Sequence, residues 1–224
     1  MVGSPPFVFP SLLAITCALF CPTPASAADD PLVFVSSFAG GENGGITAFR
    51  LSLEDGSLTQ LERTGGIENP FFIAVSPDQR FLYAVHAKAF GGKEDEEVAA
   101  YAIDKATGKL ILLNRQSAKG TATCYLEVDA TGKTLLLANY SSGSVAALPI
   151  REDGSLGEAA SFIQHQGGSK VDPKRQDGPY AHSIIVSPDN RFAYAADLGL
   201  DQILAYRLDA ATAKLEPASP AFVA

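Results

Sequence analysis

The chain has 224 residues and a formal net charge of −8, from 17 basic and 25 acidic side chains. Nucleic-acid surfaces require clustered Lys and Arg, so this charge argues against a nucleic-acid partner and favours small-molecule or protein partners. The length is sufficient for one domain with a substantial core, even after removal of a leader.

The first 27 residues have the features of a secretory signal peptide. No charged side chain precedes Asp29, an apolar stretch runs from Phe7 to Phe20, and Ala25-Ser26-Ala27 is a small-x-small cleavage pattern. The apolar stretch is shorter than the ~20 residues that cross a membrane. We therefore predict a leader at 1–27, export to the periplasm or medium, and no membrane span after cleavage. A misassigned start would instead leave the protein cytoplasmic.

Residues 28–224 contain a repeated strand pattern. Its four copies are LVFVSS from Leu32, FLYAVH from Phe81, TLLLAN from Thr134 and FAYAAD from Phe192. Three copies follow another apolar strand and a turn, and every copy precedes a third strand, a Gly-, Asp- or Ala-rich turn and a more polar fourth strand. Four strands in roughly fifty residues are typical of a β-propeller blade. A β-sandwich is the alternative, but it does not need the near-identical copies VSPDQRFLYA and VSPDNRFAYA.

The repeats predict an all-β propeller of four-stranded blades. Three units are complete, at about Phe71–Arg115, Thr123–Ile163 and Ala181–Ser219, whereas the first lacks its inner strand because Leu32 aligns with a second strand. An open ring would expose strand edges, which is costly. We therefore expect the sequence to be a truncated form of a longer protein.

Three longer segments carry a family resemblance: ENPFFIAVSPDQRFLYAVH (68–86), LLLANYSSGSVAALPI (135–150) and QGGSKVDPKRQDGPYAHSIIVSPDNRFAYAADLGLDQILAYRL (166–208). They resemble the seven-bladed lactonase propellers, the bacterial 6-phosphogluconolactonase type related to fungal carboxy-cis,cis-muconate cyclase. The resemblance covers Pro31 to the end of the sequence. It implies about four of seven blades, a site around the central channel, no cofactor or metal, and a role in glucose metabolism through the pentose phosphate pathway.

His182 is the predicted catalytic residue. Alignment of Ser187 with Ser76 puts His182 level with Phe71 and Cys124, at the start of strands that line a propeller channel. An imidazole there can act as general base towards a water that attacks an ester carbonyl. A hydrogen-bonded strand histidine is the alternative. The resemblance favours catalysis, because His182 corresponds to the histidine proposed in muconate cyclase.

Two departures from the family pattern concern this site. Tyr180 stands where the family often has a histidine. The family's site also takes an arginine and a glutamate from blades that follow His182, and this sequence has no such segment.

The predicted substrate-binding residues are Arg175, Lys174, Gln176 and Asn69. Arg175 and Lys174, with Lys170, form a basic cluster in an otherwise acidic chain. Arginine can bind an anionic group of a lactone with two hydrogen bonds. A solvated loop is the alternative for the cluster, and a simple chain turn is the alternative for Asn69.

Other polar residues have structural interpretations. Asp197, His86 and Asn139 occupy the same position in three units, which favours hydrogen bonds that cap loops. Cys124 would be the only cysteine left after leader cleavage, and a small buried thiol is expected there. The three histidines are too scattered in the sequence to predict a zinc site.

The predicted function is hydrolysis of a small anionic sugar lactone of the 6-phosphogluconolactone type. His182 would activate water, and Arg175 and Lys174 would hold the anionic group. Two alternatives are an exported, non-enzymatic propeller that acts as a binding module and an inactive fragment.

Overall fold

A computed structural model describes residues 30–224, so the predicted leader lies outside the described residues. Four antiparallel sheets follow one another along the chain, one of three strands and three of four. The single helical element between residues 30 and 224 is a 3₁₀ turn at Gly41–Asn43. No helix in this range is long and apolar enough to cross a membrane.

Each sheet is one blade, and strands that neighbour each other in the chain also neighbour each other in the sheet. Blade 1 contains β1 (Leu32–Ser37), β2 (Gly45–Leu51) and β3 (Leu58–Gly65). Blade 2 contains β4 (Ile73–Val75), β5 (Phe81–His86), β6 (Glu97–Ile103) and β7 (Leu110–Ser117). Blade 3 contains β8 (Thr123–Val128), β9 (Thr134–Asn139), β10 (Ser144–Pro149) and β11 (Ser161–Gln164). Blade 4 contains β12 (Ala181–Val186), β13 (Phe192–Asp197), β14 (Gln202–Asp209) and β15 (Lys214–Val223).

This order of strands confirms the predicted propeller fold. The four repeated segments coincide with β1, β5, β9 and β13, and blade 1 has three strands. Its missing partner is the inner one, because β1 occupies the edge next to β2. The chain therefore contains one three-stranded blade and three four-stranded blades within residues 30–224.

The apolar second strands of blades 2 and 3 are fully buried because each of these blades packs against a neighbouring blade on both faces. In β9, Leu135 and Leu137 contact the core that blade 3 shares with blade 2. Leu136 and Ala138 point the other way and contact the core shared with blade 4. Successive side chains of a strand alternate between faces, so an apolar run fills both cores. This packing explains why TLLLAN is apolar over four residues rather than alternating.

The repeated SPDxRF sequence forms the same turn in two blades. In blade 2, the Ser76 hydroxyl accepts the Phe81 N–H at 3.0 Å and donates to an Asp78 carboxylate oxygen at 2.6 Å. In blade 4, the Ser187 hydroxyl accepts the Phe192 N–H at 3.0 Å and also donates to the aspartate two residues later. The serine thus satisfies a backbone donor between the first and second strands, and the motif is scaffold.

A β-bulge opens the inner strand of blades 3 and 4. The pairing of β8 with β9 shifts after Thr123, which leaves Cys124 as the extra residue. The pairing of β12 with β13 shifts in the same way after Ala181, which leaves His182 as the extra residue. A bulge bends its strand and changes the direction of a side chain. Both residues therefore leave the regular alternation of the sheet at equivalent places.

Blade 2 differs at this position, because its inner strand begins at Ile73 rather than at the predicted Phe71. Asn69 has a positive φ of 46°, and the Phe71 N–H donates to the Asn69 carbonyl at 2.7 Å. This tight turn takes Phe71 out of the ladder that it would otherwise join. Phe71 remains at the mouth of the blade, 44% exposed.

Candidate active site

A cavity of about 190 Å³ lies at the end of blades 2 to 4 where the inner strands begin. Its lining residues are Phe71, Phe90, Ala122, Cys124, Tyr140, Arg175 and His182. The alignment predicted that Phe71, Cys124 and His182 face a common space, and this prediction is confirmed. The bulges described above direct the last two side chains towards it.

The His182 side chain is exposed and stands against one aromatic ring. Its ring meets that of Tyr140 edge to face, with centroids 5.7 Å apart and an interplanar angle of 90°. Its carbonyl lies 3.3 Å from the Cys124 sulfur. Within residues 30–224, neither His182 ring nitrogen has a hydrogen-bond partner. The imidazole can therefore form a hydrogen bond to a molecule that enters the cavity.

Arg175 contributes the cation of the cavity. Its guanidinium donates from Nη2 to the Tyr140 hydroxyl oxygen at 3.3 Å. This hydrogen bond raises the pKa of Arg175, so the group is a permanent positive charge. The loop that carries it joins β11 to β12 and leads directly into His182. The structure thus brings together two of the predicted site residues.

Tyr140 was not predicted as a site residue. It follows the last residue of β9, and its ring packs on that of Tyr180 with centroids 5.1 Å apart. The sequence signal available was an aromatic residue directly after a buried second strand, at the same end of the blade as His182. That signal is weak, because the contact with Arg175 joins residues that are 35 positions apart.

Lys174 and Gln176 lie outside this set of lining residues. Lys174 is exposed, and its backbone N–H donates to an Asp172 carboxylate oxygen at 2.9 Å. Gln176 is buried, and its amide oxygen accepts the Asp172 N–H at 2.7 Å while its amide nitrogen donates to the Leu198 carbonyl at 2.9 Å. Gln176 therefore ties the loop to the end of β13, and substrate binding by either residue stays a prediction.

Asn69 also lies outside the lining of the cavity. Its side-chain amide donates to the Ala87 carbonyl at 2.7 Å, and its backbone adopts the left-handed conformation described above. Asparagine tolerates that conformation better than most residues. The chain-turn alternative for Asn69 has this support, and its role in substrate binding stays a prediction.

Asp197 caps the loop that precedes His182, as the repeat comparison favoured. One carboxylate oxygen accepts the backbone N–H groups of Tyr180, Gly199 and Leu200 at 2.7, 2.9 and 3.1 Å. The other lies 2.6 Å from His165 Nδ1. Burial acts to raise the pKa of Asp197, but these hydrogen bonds outweigh it and lower the pKa. The charged carboxylate thus fixes the backbone that enters β12.

His86 and Asn139 also make hydrogen bonds that hold neighbouring loops. His86 accepts the Glu68 N–H at its Nδ1, over 3.2 Å. Asn139 donates its side-chain amide to the Ala118 carbonyl at 3.0 Å. Burial lowers the pKa of His86. The capping interpretation of this position is therefore confirmed in three blades.

Glu96 is a second anchor that the sequence did not reveal. It is buried, and one carboxylate oxygen accepts the Gly91 and Ala122 N–H groups at 2.8 and 3.0 Å. The other accepts the Thr123 N–H at 2.7 Å. Glu96 therefore holds the backbone immediately before the Cys124 bulge, in the way that Asp197 holds the backbone before His182.

Cys124 is a buried free thiol at the floor of the cavity. Burial raises the pKa of Cys124 to about 11, so the thiol is protonated at neutral pH. A protonated thiol is a poor nucleophile. The structure thus supports the expected role of a small buried side chain that fills the floor beside His182.

The opposite wall of the cavity is aromatic. The rings of Phe71 and Phe90 stack with centroids 4.6 Å apart, and Phe38 meets both edge to face. The cavity therefore has an apolar side and a polar side that carries Arg175 and His182. Such an arrangement can hold a small ring by its apolar face while a carbonyl and an anionic group meet the polar side.

Comparisons with known proteins agree with this fold. Residues 32–224 match the family model "Lactonase, 7-bladed beta-propeller". A 6-phosphogluconolactonase of Bacillus subtilis is 35% identical over 176 residues, which are 78% of this chain and 48% of that protein. A 6-phosphogluconolactonase of Formosa agariphila is 29% identical over 79% of this chain and 50% of that protein.

Solved structures give the same result. The periplasmic gluconolactonase of Pseudomonas aeruginosa matches with a TM-score of 0.74 and 35% identity, over 86% of this chain and 54% of that one. A Bacteroides fragilis protein solved as a candidate 6-phosphogluconolactonase matches with a TM-score of 0.78 and 32% identity, over 88% of this chain and 56% of that one. The chain thus spans about half the length of the relatives that it matches. It belongs to the lactonase family of seven-bladed β-propellers.

Proposed function

We propose that the protein hydrolyses a sugar lactone of the 6-phosphogluconolactone type to the corresponding hydroxy acid, as a carboxylic ester hydrolase. The observation that carries this proposal is the cavity in which His182 and Arg175 converge, in a chain of the lactonase family. Its relatives in Bacillus subtilis and Formosa agariphila are 6-phosphogluconolactonases. The product of such a reaction enters the pentose phosphate pathway.

In this reaction the imidazole of His182 removes a proton from water as the water oxygen attacks the lactone carbonyl. The tetrahedral intermediate then collapses, and the bond between the carbonyl carbon and the ring oxygen breaks. The ring oxygen receives the proton from His182. Arg175 binds the anionic group of the substrate. The aromatic wall formed by Phe71 and Phe90 supports the apolar face of the ring.

The proposal extends to the compartment of the protein. The leader predicted at 1–27 supports export, and the structural relative from Pseudomonas aeruginosa is a periplasmic gluconolactonase. Expression in a Gram-negative host, followed by mass measurement of the protein released by osmotic shock, tests this. A mature mass that begins at residue 28 is expected, and the uncleaved mass in the cytoplasm would contradict export.

The activity is tested by hydrolysis of 6-phosphogluconolactone and of glucono-1,5-lactone, followed by acid release above the spontaneous rate. His182→Gln is expected to lower kcat/KM by about 100-fold or more, because a general base contributes on that order. Ile185→Gln is the matched control, since Ile185 lies on the same strand, is exposed and does not line the cavity.

Two results would contradict the proposal. Absence of any catalysed hydrolysis of either lactone by the unaltered chain would favour the alternative of a non-enzymatic binding module or an inactive fragment. Equal loss of activity in His182→Gln and Ile185→Gln would show that strand β12 matters for stability alone and that His182 has no chemical role.

A further inference from the structure

The hydroxyl of Tyr140 makes one hydrogen bond, with the guanidinium of Arg175, among the residues that the structure describes. Its oxygen accepts from Arg175 Nη2 at 3.3 Å. A guanidinium has only donors, so the Tyr140 oxygen must be the acceptor in this contact. The Tyr140 proton is therefore directed elsewhere, and it has no acceptor among the residues that the structure describes.

The position of the Tyr140 ring limits where that proton can go. The ring stands edge to face with His182 and also packs on the ring of Tyr180. Tyr140 lines the same cavity as His182 and Arg175, and it is only half-buried. The hydroxyl thus belongs to the polar side of the space where a substrate carbonyl would meet the water activated by His182.

The geometry points to Tyr140 as a catalytic residue that donates a hydrogen bond to the lactone carbonyl oxygen. This inference rests on the proposed lactonase function and adds an oxyanion donor to it. The neighbouring guanidinium polarises the hydroxyl, because hydrogen bonds in a chain strengthen one another. A donor aimed at the oxygen on which charge develops lowers the barrier of acyl transfer.

The water oxygen forms a bond to the carbonyl carbon while His182 takes one water proton, and the carbonyl π electrons move to the carbonyl oxygen. Tyr140 keeps its proton and donates a hydrogen bond to that oxyanion. When the electrons return, the bond to the ring oxygen breaks, and the ring oxygen receives the proton from His182. The product acid then releases its proton to solvent.

A different role for Tyr140 would be only to position Arg175 against an anionic substrate group. The two roles differ in their dependence on the substrate. An oxyanion donor acts on every lactone, whereas a residue that only positions Arg175 matters for lactones that carry a phosphate. Glucono-1,5-lactone, which has no anionic group, distinguishes them from 6-phosphogluconolactone.

The test compares Tyr140→Phe with Tyr180→Phe in the full chain on both lactones. Each variant loses one hydroxyl from the same ring pair and keeps the stacking. The Tyr180 hydroxyl donates to an Asp177 carboxylate oxygen at 2.9 Å and does not line the cavity. Tyr140→Phe is expected to lower kcat by about 10- to 100-fold on both lactones, with KM within about twofold. Tyr180→Phe is expected to keep the parental kcat.

The results distinguish failure of the proposed lactonase function from failure of the oxyanion role of Tyr140. If the parent hydrolyses neither lactone, the proposed function fails and the inference fails with it. If the parent is active and Tyr140→Phe matches it, only the inference is overturned. A loss confined to 6-phosphogluconolactone would overturn the oxyanion role in favour of positioning Arg175, and an equal loss in Tyr180→Phe would overturn any specific role of the Tyr140 hydroxyl.

Discussion

Nδ1 of His165 lies 2.6 Å from a carboxylate oxygen of Asp197, and both side chains are fully buried. The bond joins the segment after β11, the outer strand of blade 3, to the end of β13 in blade 4. On its other side the His165 ring lies 2.9 Å from the Tyr206 hydroxyl. Two blades are thus connected at the level of the candidate site by one buried polar chain.

Asp197→Ala is expected to lower the free energy of unfolding by about 3–5 kcal/mol, because it leaves buried backbone donors and His165 without an acceptor. Asp197→Asn keeps one oxygen for the backbone donors, so a smaller loss of about 1–2 kcal/mol is expected. Urea unfolding measures both values. Equal stability of the Ala variant and the parent would show that the network does not hold the blades together.

Gly199→Ala is expected to disturb the loop that carries Arg175. A Cβ at position 199 would collide with the Gly178 carbonyl and lie 2.8 Å from the Tyr180 ring. Overpacking of this kind costs about 1–3 kcal/mol. Gly178→Ala is the matched control, because a Cβ at position 178 meets no atom within 4 Å. Thermal unfolding and limited proteolysis of the loop should separate the two variants, and similar behaviour of both would refute the tight contact.

The Cys124 thiol is expected to resist alkylation in the folded protein. Burial raises its pKa to about 11 from an ordinary value of 9.0, so the thiolate fraction at pH 8 falls about 100-fold. Mass spectrometry of the Cys124 peptide after iodoacetamide treatment measures this. The rate should rise steeply up to pH 11 or on unfolding, and rapid labelling at pH 8 would contradict the burial of the thiol.

Glu127→Gln is expected to raise the thermal midpoint at pH 7. Burial raises the pKa of Glu127 above its ordinary value of 4.5, so the folded state binds the proton more tightly than the unfolded state. The ionised carboxylate therefore destabilises the fold as pH rises above 4.5, and Gln avoids this cost while still accepting the Val186 N–H. The gain should vanish below pH 4. Glu62→Gln, at an exposed position of β3, controls for net charge.

Arg175→Gln is expected to raise KM for 6-phosphogluconolactone by about 10-fold, because the guanidinium can donate two hydrogen bonds to a phosphate group and glutamine cannot supply the charge. KM for glucono-1,5-lactone should change less. Arg191→Gln removes an exposed arginine that is paired with Asp189 in a turn of blade 4 and does not line the cavity. Initial-rate kinetics on both substrates measures this difference, and equal effects of the two variants would argue against anion binding by Arg175.

The blade architecture could be predicted from the sequence because its signal is local and repeated. The segments LVFVSS, FLYAVH, TLLLAN and FAYAAD correspond to complete strands, and the repeated turns between strands are formed by their own serine and aspartate side chains. The alignment of Ser187 with Ser76 was sufficient to place His182 at the cavity. The short start of blade 2 was missed, since it depends on the positive φ of Asn69.

The supporting residues of the site could not be predicted in the same way. Glu96 contacts Thr123 across 27 positions, and Arg175 contacts Tyr140 across 35. These contacts arise from packing of one blade against the next, and no spacing rule in the sequence encodes them. Gln176 illustrates the same limit, because its amide group holds the loop beside the site through hydrogen bonds to Asp172 and Leu198 that its position in the sequence does not reveal.

In blades 2 to 4 the main chain departs from the regular ladder at the start of the inner strand. The side chain at that place is therefore not fixed by the pairing of the sheet. Phe71, Cys124 and His182 occupy corresponding places while their hydrogen-bonded neighbours hold the main chain. A side chain at such a place can change with little effect on the sheets behind it. The side chains at positions 71 and 124 could therefore diverge through single codon changes while His182 is kept, and a two-position library at these places is a practical starting point for changing what the cavity accepts.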